Sequence, residues 1–274
     1  LSKLNTECGG LWFEDAGWLE PKNYALAILS DSNITQLYDT NITHLSQQDG
    51  KGIWTCHSKD KTFTAKYVVV ANSNKARDFE QLKHLPTKPL RGQVTSIKQS
   101  DLSSADCVIC GEGYLCPEVT GWHHFGATFD LDSDEGQIKE NDNVKNISSL
   151  QKWFPGWLSD TQVASGEIKS NAGLRCTTPD YLPIVGRAPV YTQMLHTFAK
   201  LRVGANSCKH LYGHYHESLF VNVGHGSKGL FTTPLAAVFI KSVICGGISP
   251  FSEEQKAMIS PSRFIIKHLK QRRI

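Results

Sequence analysis

The chain is expected to fold as an α/β protein of two intimately joined domains, and three features of its 274 residues carry that expectation. Ala65 to Ser73, centred on Val68-Val69-Val70, is apolar and β-branched without alternation, the pattern of a strand buried on both faces in a parallel sheet. Leu219 to Gly247 reads as a strand, a glycine turn and a helix. Leu90 to Phe129 instead breaks into short alternating segments between turn residues, which is how antiparallel strands look. A parallel strand needs parallel neighbours reached through helical crossovers, and too few such units are visible here. Part of the sheet, its first strand and helix, is therefore expected upstream of Leu1.

Taken in order, Asp15 to Gly17 makes a turn and Pro21 opens a helix running to Leu29. Strands follow at Thr35–Tyr38, Ile53–Cys56 and Phe63–Lys66, with turns at Gln48-Asp49-Gly50 and Ser58-Lys59-Asp60, as a β-meander. The middle block predicts strands at Val94–Lys98, Cys107–Cys110, Tyr114–Cys116 and Trp122–Phe129. A polar connection from Asp130 to Asn146 comes next, and then a helix over Ile147–Phe154 that stops at Pro155-Gly156. The resulting division is 1–89 for the first part of one domain, 90–170 for an inserted domain, 171–250 for the return to the first, and 251–274 for a basic tail.

Composition excludes little. Hydrophobic residues make up 40% and charged residues 20%, ordinary for a soluble globular protein, and a net charge of +3 does not by itself point to nucleic acid. The longest apolar run, Leu235 to Cys245, is too short to cross a bilayer, so no membrane partner is expected. Eight scattered cysteines suit a reducing compartment, and a cytoplasmic location is expected. Cys107 and Cys110 form a C-x-x-C without a second pair at zinc spacing, which favours buried, inert thiols. His210, His214 and His216 lack acidic or thiol partners at ligand spacing apart from Cys208 and Glu217, so they read as solvated loop histidines and no metal is expected.

Two stretches carry chemistry. In the first, Gly224-His225-Gly226-Ser227-Lys228-Gly229 joins the strand to the helix, with Thr233 placed to cap it, Pro234 to begin it and Gly246 to end it. Such a turn offers unpaired backbone N–H groups and the positive end of a helix dipole, so an electron-rich or anionic guest is expected. The spacing of Gly224, Gly226 and Gly229 matches the dinucleotide fingerprint, yet no second strand with an acidic residue follows the helix. A pyrophosphate site, an ordinary packing turn and a turn facing another part of a cofactor all stay open. In the second, Gly173-Leu174-Arg175-Cys176-Thr177-Thr178-Pro179-Asp180 sets a guanidinium among apolar residues, where it is costly without an anionic partner. A substrate carboxylate and a structural pair with Asp180 or another acid are both consistent with it. The tail places apolar residues at 265, 266 and 269 and bases on the remaining face; Lys267, Lys270, Arg272 and Arg273 are candidates for phosphate contacts, against the plainer reading of a solvated capping helix.

Six motifs, in order, carry a resemblance: G-W-L-E-P at Gly17–Pro21, L-R-G-Q-V at Leu90–Val94, G-Y-L-C-P at Gly113–Pro117, H-F-G-A-T at His124–Thr128, G-L-R-C-T-T-P-D-Y-L-P-I-V-G from Gly173, and G-S-K-G-L-F-T-T-P-L from Gly226. Together they resemble the D-amino-acid-oxidase-like flavoenzymes, and within them most of all the FAD-dependent oxidoreductase domain of the bacterial bifunctional enzymes that modify the tRNA wobble uridine. The resemblance implies an α/β two-domain flavoprotein of D-amino-acid-oxidase type, with a truncated FAD-binding domain and an inserted antiparallel-sheet substrate domain. It implies FAD as cofactor, tRNA as partner, and a methyltransferase domain that works beside it.

Carried over residue by residue, Arg175 matches the arginine that grips the substrate carboxylate and Tyr114 a tyrosine facing the substrate. Gly224, His225, Gly226, Ser227, Lys228, Gly229 and Leu230 match the turn against the flavin pyrimidine edge. Two departures stand out: the pyrophosphate-binding strand and helix are missing, and Ala71-Asn72-Ser73 ends in Ser where the family has Gly, a residue that adopts positive φ more cheaply. The implied reaction removes the carboxymethyl arm from a carboxymethylaminomethyl uridine. An oxidase of free glycine or sarcosine and a flavin-free tRNA-binding fragment are the alternatives.

Overall fold

The computed structural model describes residues 4, 9–47, 52–130, 135–204 and 212–274. In chain order its helices are α1 (Pro21–Leu29), α2 (Glu140–Trp153), α3 (Asp160–Ser165), α4 (Tyr191–Thr197), α5 (Gly229–Cys245), α6 (Glu253–Ile259) and α7 (Arg263–Lys270). Its strands are β1 (Ile42–Gln47), β2 (Trp54–Ser58), β3 (Thr62–Ala65), β4 (Val68–Val70), β5 (Lys88–Lys98), β6 (Ile109–Cys110), β7 (Tyr114–Leu115), β8 (Trp122–Gly126), β9 (Glu167–Thr177), β10 (Ile184–Pro189) and β11 (Tyr215–Val223). The chain divides into two compact units, Leu1–Thr35 with Leu90–Leu174 and Gln36–Pro89 with Arg175–Ile274.

The second unit holds two sheets. One is the antiparallel meander β1-β2-β3, in register at Leu45↔Cys56 and Trp54↔Ala65. Its first strand is Ile42–Gln47 and not Thr35–Tyr38, whose Leu37 and Tyr38 are exposed and find no partner strand. The turn at Ser58 forms as expected, with Lys61 N donating to Ser58 Oγ, whereas residues 48–51 lie outside the described residues.

The other sheet has the order β10-β11-β4, with β11 parallel to β4 (Leu219↔Val68, Val221↔Val70) and antiparallel to β10. The expected parallel pairing exists, but β4 spans three residues and Val69 is 42% exposed, so the strand is not buried on both faces. The reason is its position: among the described residues β4 has a neighbour on one side only. The core beneath these sheets gathers Trp54, Val70, Leu82, Leu219, Val221 and Phe264.

Helix α5 lies against this sheet through Ala236, Phe239 and Ile240, which pack on Val185 and Phe220. It starts earlier than its sequence predicts. Pro234 falls inside the helix rather than at its first position, and Thr233 sends its hydroxyl to Gly229 O (2.7 Å) instead of capping. The glycine turn runs through a 3₁₀ turn, Gly226–Lys228, straight into the helix, so the missing Pro234 N–H costs one early hydrogen bond and no break. Gly246 does end the helix, at φ 76°. Residues 226–245 form a helical run long and apolar enough, by length and composition, to cross a membrane, which corrects the shorter run read from sequence. Its sheet-facing side is core packing.

The first unit is a five-stranded sheet of order β6-β7-β8-β5-β9 covered by α2. Here α2 begins at Glu140, seven residues before the helix the periodicity predicts at Ile147. Its early residues look like loop because they are polar, yet Asp142, Asn143 and Asn146 are buried. They meet a polar stripe on β5. Asn143 Oδ1 accepts from Gln93 Nε2, Thr95 Oγ1 and Ser170 Oγ at 2.9, 2.9 and 2.8 Å, while Asn146 Nδ2 donates to Gln93 O and Thr95 Oγ1. Arg91, fully buried, pairs with Asp142 and donates to Gln93 Oε1 (2.9 Å) and Gln137 O (3.0 Å). Cys110 is exposed and Cys107 half-buried, against the expectation of two buried thiols, because β6 is a two-residue strand at the sheet edge.

Candidate functional site

In the second unit the carboxyl ends of the parallel strands β4 and β11 are where an α/β sheet offers a crevice. Ser73 lies just past β4, and Gly224 just past β11. Residues Arg175–Thr177, the end of β9, come to the same place: burial pushes the Cys176 thiol pKa up and outweighs Gly224 and Ser73, which lie against the thiol and favour its thiolate. Ser73 adopts φ 61°, so the left-handed conformation that glycine reaches more cheaply is realised here by a serine.

The turn itself needs its glycines. Gly224 has φ 79° and Gly226 φ 56°, and a Cβ on Gly224 would stand 2.7 Å from Thr178 Cγ2. A Cβ on Gly226 would stand 3.7 Å from Thr177 Cγ2. Replacing Gly224 with Ala is expected to destabilise the unit by at least about 1–2 kcal/mol from the left-handed backbone alone, read as a drop in denaturant midpoint at constant slope. Beyond the turn, Lys228 N–H donates to His225 O, and neither the 3₁₀ turn nor α5 has a side-chain cap.

Arg175 is half-buried, with Nη1 shielded from solvent, and its carbonyl accepts from Asn74 Nδ2 at 3.4 Å. Asp180 is not its partner. Arg263 claims that carboxylate in a fork, Nε to Oδ2 and Nη2 to Oδ1 both at 2.9 Å, and sends further bonds to Leu182 O and Pro183 O. Burial alone would raise the Asp180 pKa, but the Arg263 bonds and charge hold it below the ordinary carboxylate value. The structural reading of Arg175 as the Asp180 ion pair is thereby excluded. Neither Arg263 nor Asn74 was singled out from sequence; Arg263 was hidden among the other bases of the tail, and Asn74 carries no signal beyond following the strand.

The remaining predicted residues fall elsewhere. Tyr114, on β7 of the first unit, is half-buried at a cavity of about 170 Å³ also lined by Phe125, Ser149, Leu150 and Trp153. Lys267, Lys270, Arg272 and Arg273 are all exposed at the end of the second unit. Arg272 Nε donates to Arg202 O (2.8 Å), and Ile265 and Leu269 anchor α7 on Met194, Phe198 and Leu201. Ser227, Lys228 and Leu230 follow one another through the 3₁₀ turn into α5. His216 is not a loop residue but part of β11, set edge-on to Trp54 at 5.8 Å, with burial lowering its pKa. His210 lies outside the described residues, and among those described no three His, Cys, Asp or Glu side chains could hold a metal.

Residues 2–241 match the family described as FAD dependent oxidoreductase. The chain belongs to that family. Proteins similar to it include the tRNA 5-methylaminomethyl-2-thiouridine biosynthesis bifunctional protein MnmC of Chromobacterium violaceum, 31% identical over 277 residues, covering all of this chain and 42% of that protein. The MnmC of Methylobacillus flagellatus is 33% identical over 276 residues, covering all of this chain and 41% of the relative. The chain thus spans about two fifths of these curated relatives. In fold it is similar to glycine oxidase from Geobacillus kaustophilus, with a TM-score of 0.62 and 17% identity over 82% of this chain and 52% of that one. L-proline dehydrogenase from P. horikoshii gives 0.60 and 13% over 82% and 54%.

The residues of the crevice fit the cofactor that defines this family of FAD-dependent oxidoreductases. Asn74 Oδ1 is buried there without a hydrogen-bond partner, the turn has space where a Cβ would intrude, and uncapped amides lead into α5. Those amides would face the electron-rich edge of the ring and favour negative charge on it.

Proposed function

We propose that this chain is the oxidising part of a tRNA-modifying enzyme, acting on a carboxymethylaminomethyl group at the wobble uridine. FAD would accept a hydride, that is two electrons and one proton, from the methylene of the arm that lies between the secondary amine and the carboxylate. The resulting C=N bond takes up water and breaks, leaving an aminomethyl uridine and the carboxymethyl arm as glyoxylate. This chain's residues would do the rest: Arg175 grips the arm's carboxylate, Tyr114 faces the substrate, and the Gly224–Leu230 turn holds the ring. A neutral amine is needed for hydride loss, and a dry site favours it by desolvation. A methyltransferase domain would then act on the exposed amine, and the setting is cytoplasmic.

What carries the reading is the approach of the Arg175–Thr178 segment to the glycine turn: Cys176 and Thr178, beside the guanidinium-bearing residue, touch Gly224. The test is an assay of the flavin-loaded protein on tRNA bearing carboxymethylaminomethyl uridine against free glycine and sarcosine. Glyoxylate from the tRNA and not from the free amino acids supports the proposal; the reverse makes this a small-amine oxidase, and a protein that binds tRNA with no flavin absorbance makes it a binding fragment.

For the tail, removing Lys267, Lys270, Arg272 and Arg273 is expected to lower the slope of log binding constant against log salt by about 3 to 4, near one per lost phosphate contact. An unaltered slope assigns these bases to solvent.

A further inference from the structure

We propose that His225 is a positioning residue that locks the geometry of the cofactor-facing turn by tying β11 to α5. The proposal rests on the reading of Gly224–Leu230 as the flavin-side turn. Its ring Nε2 lies 2.8 Å from Asn222 Oδ1 on β11, and Nδ1 lies 2.7 Å from Thr232 Oγ1 in the first turn of α5. Among the described residues, no other side-chain hydrogen bond joins these two elements.

The turn needs such a tie. Gly224 and Gly226 have no Cβ to restrict them, and both sit at positive φ. Within the turn, the backbone contributes Lys228 N to His225 O at 3.0 Å, and no side chain caps the helix that follows. A loop this permissive would spread its amides over many orientations, and the helix dipole would then be poorly aimed.

The chemistry of the ring suits the task. Asn222 Oδ1 only accepts, so Nε2 carries the hydrogen and Nδ1 accepts from the Thr232 hydroxyl. That hydroxyl has a single hydrogen, which it gives either to Nδ1 or to Lys228 O at 2.9 Å, so the carbonyl closing the 3₁₀ turn is its alternative acceptor. Burial lowers the His225 pKa and so favours the neutral ring that this tautomer requires. The tie therefore runs from Asn222 through His225 to Thr232 and bridges the two ends of the stretch from Gly226 to Gly229.

The experiment compares wild type with His225→Ala and His225→Gln by amide hydrogen exchange on the flavin-free protein, and by FAD titration followed in absorbance. His225→Ala is expected to speed exchange at residues 226–230 by about tenfold and to weaken FAD by about tenfold, as loss of one or two good hydrogen bonds implies. Strands β10 and β11 should exchange as in wild type. His225→Gln, whose planar amide keeps a donor and an acceptor, should recover most of both. Exchange at 226–230 unchanged in His225→Ala, or raised equally throughout the unit, overturns the positioning role. Exchange judges the role even if the wild type binds no FAD, an outcome that would overturn the cofactor reading separately.

Discussion

Arg175→Leu is expected to raise KM for a carboxymethylaminomethyl substrate by about a hundredfold, close to 3 kcal/mol, with a smaller loss in kcat. The carboxylate of the arm is the only fixed negative charge next to the reacting carbon, and a guanidinium with Nη1 shielded from water holds it far better than bulk solvent would. Leu removes the fork while keeping bulk, so the change falls on binding more than on chemistry. Arg175→Lys, which keeps a point charge without the bidentate geometry, should fall between the two. Steady-state kinetics decide it. Denaturant unfolding of the same variant reads any structural share separately; the Asp180 carboxylate is not part of it, being held by Arg263. Unaltered KM in a folded Arg175→Leu protein would take the residue out of the site.

What sequence could and could not show divides along a physical line. The strand, glycine turn and helix from Leu219 were legible because apolar runs and glycine punctuation act locally, and the register confirms β11 beside β4. The start of α5 was misplaced because Thr233-Pro234 is a good helix opening in isolation, whereas the chain enters the helix from a 3₁₀ turn five residues earlier. Asn74 and Arg263 matter only through partners about 80 to 100 residues away, at Arg175 and Asp180. No local pattern encodes such pairings. The start of α2 failed for a related reason: hydrophobic periodicity assumes that buried means apolar, and its first two turns bury asparagine and aspartate against a polar strand.

That polar interior sets the second large effect. Arg91→Ala is expected to cost about 3 kcal/mol of stability, since it leaves the buried Asp142 carboxylate with only the exposed Lys145 ammonium, 3.8 Å away, as a cationic partner. Gln137 O loses its Arg91 donors at the same stroke, Gln93 Oε1 keeps only the Lys139 N–H, and Asn143, which accepts from Gln93, would feel the shift. Arg91→Met with Asp142→Leu removes both charges, so it should be markedly less damaging than either single change, because the desolvation cost disappears with the ions. Denaturant unfolding of the three variants measures this directly. If the double replacement proved as unstable as Arg91→Ala, the cost would lie in lost packing or in the Gln93 and Asn143 amides, and not in the stranded charge. The pairing of β5 with α2 would then owe its specificity to neutral hydrogen bonds, with the Arg91–Asp142 pair contributing little beyond filling the space between them.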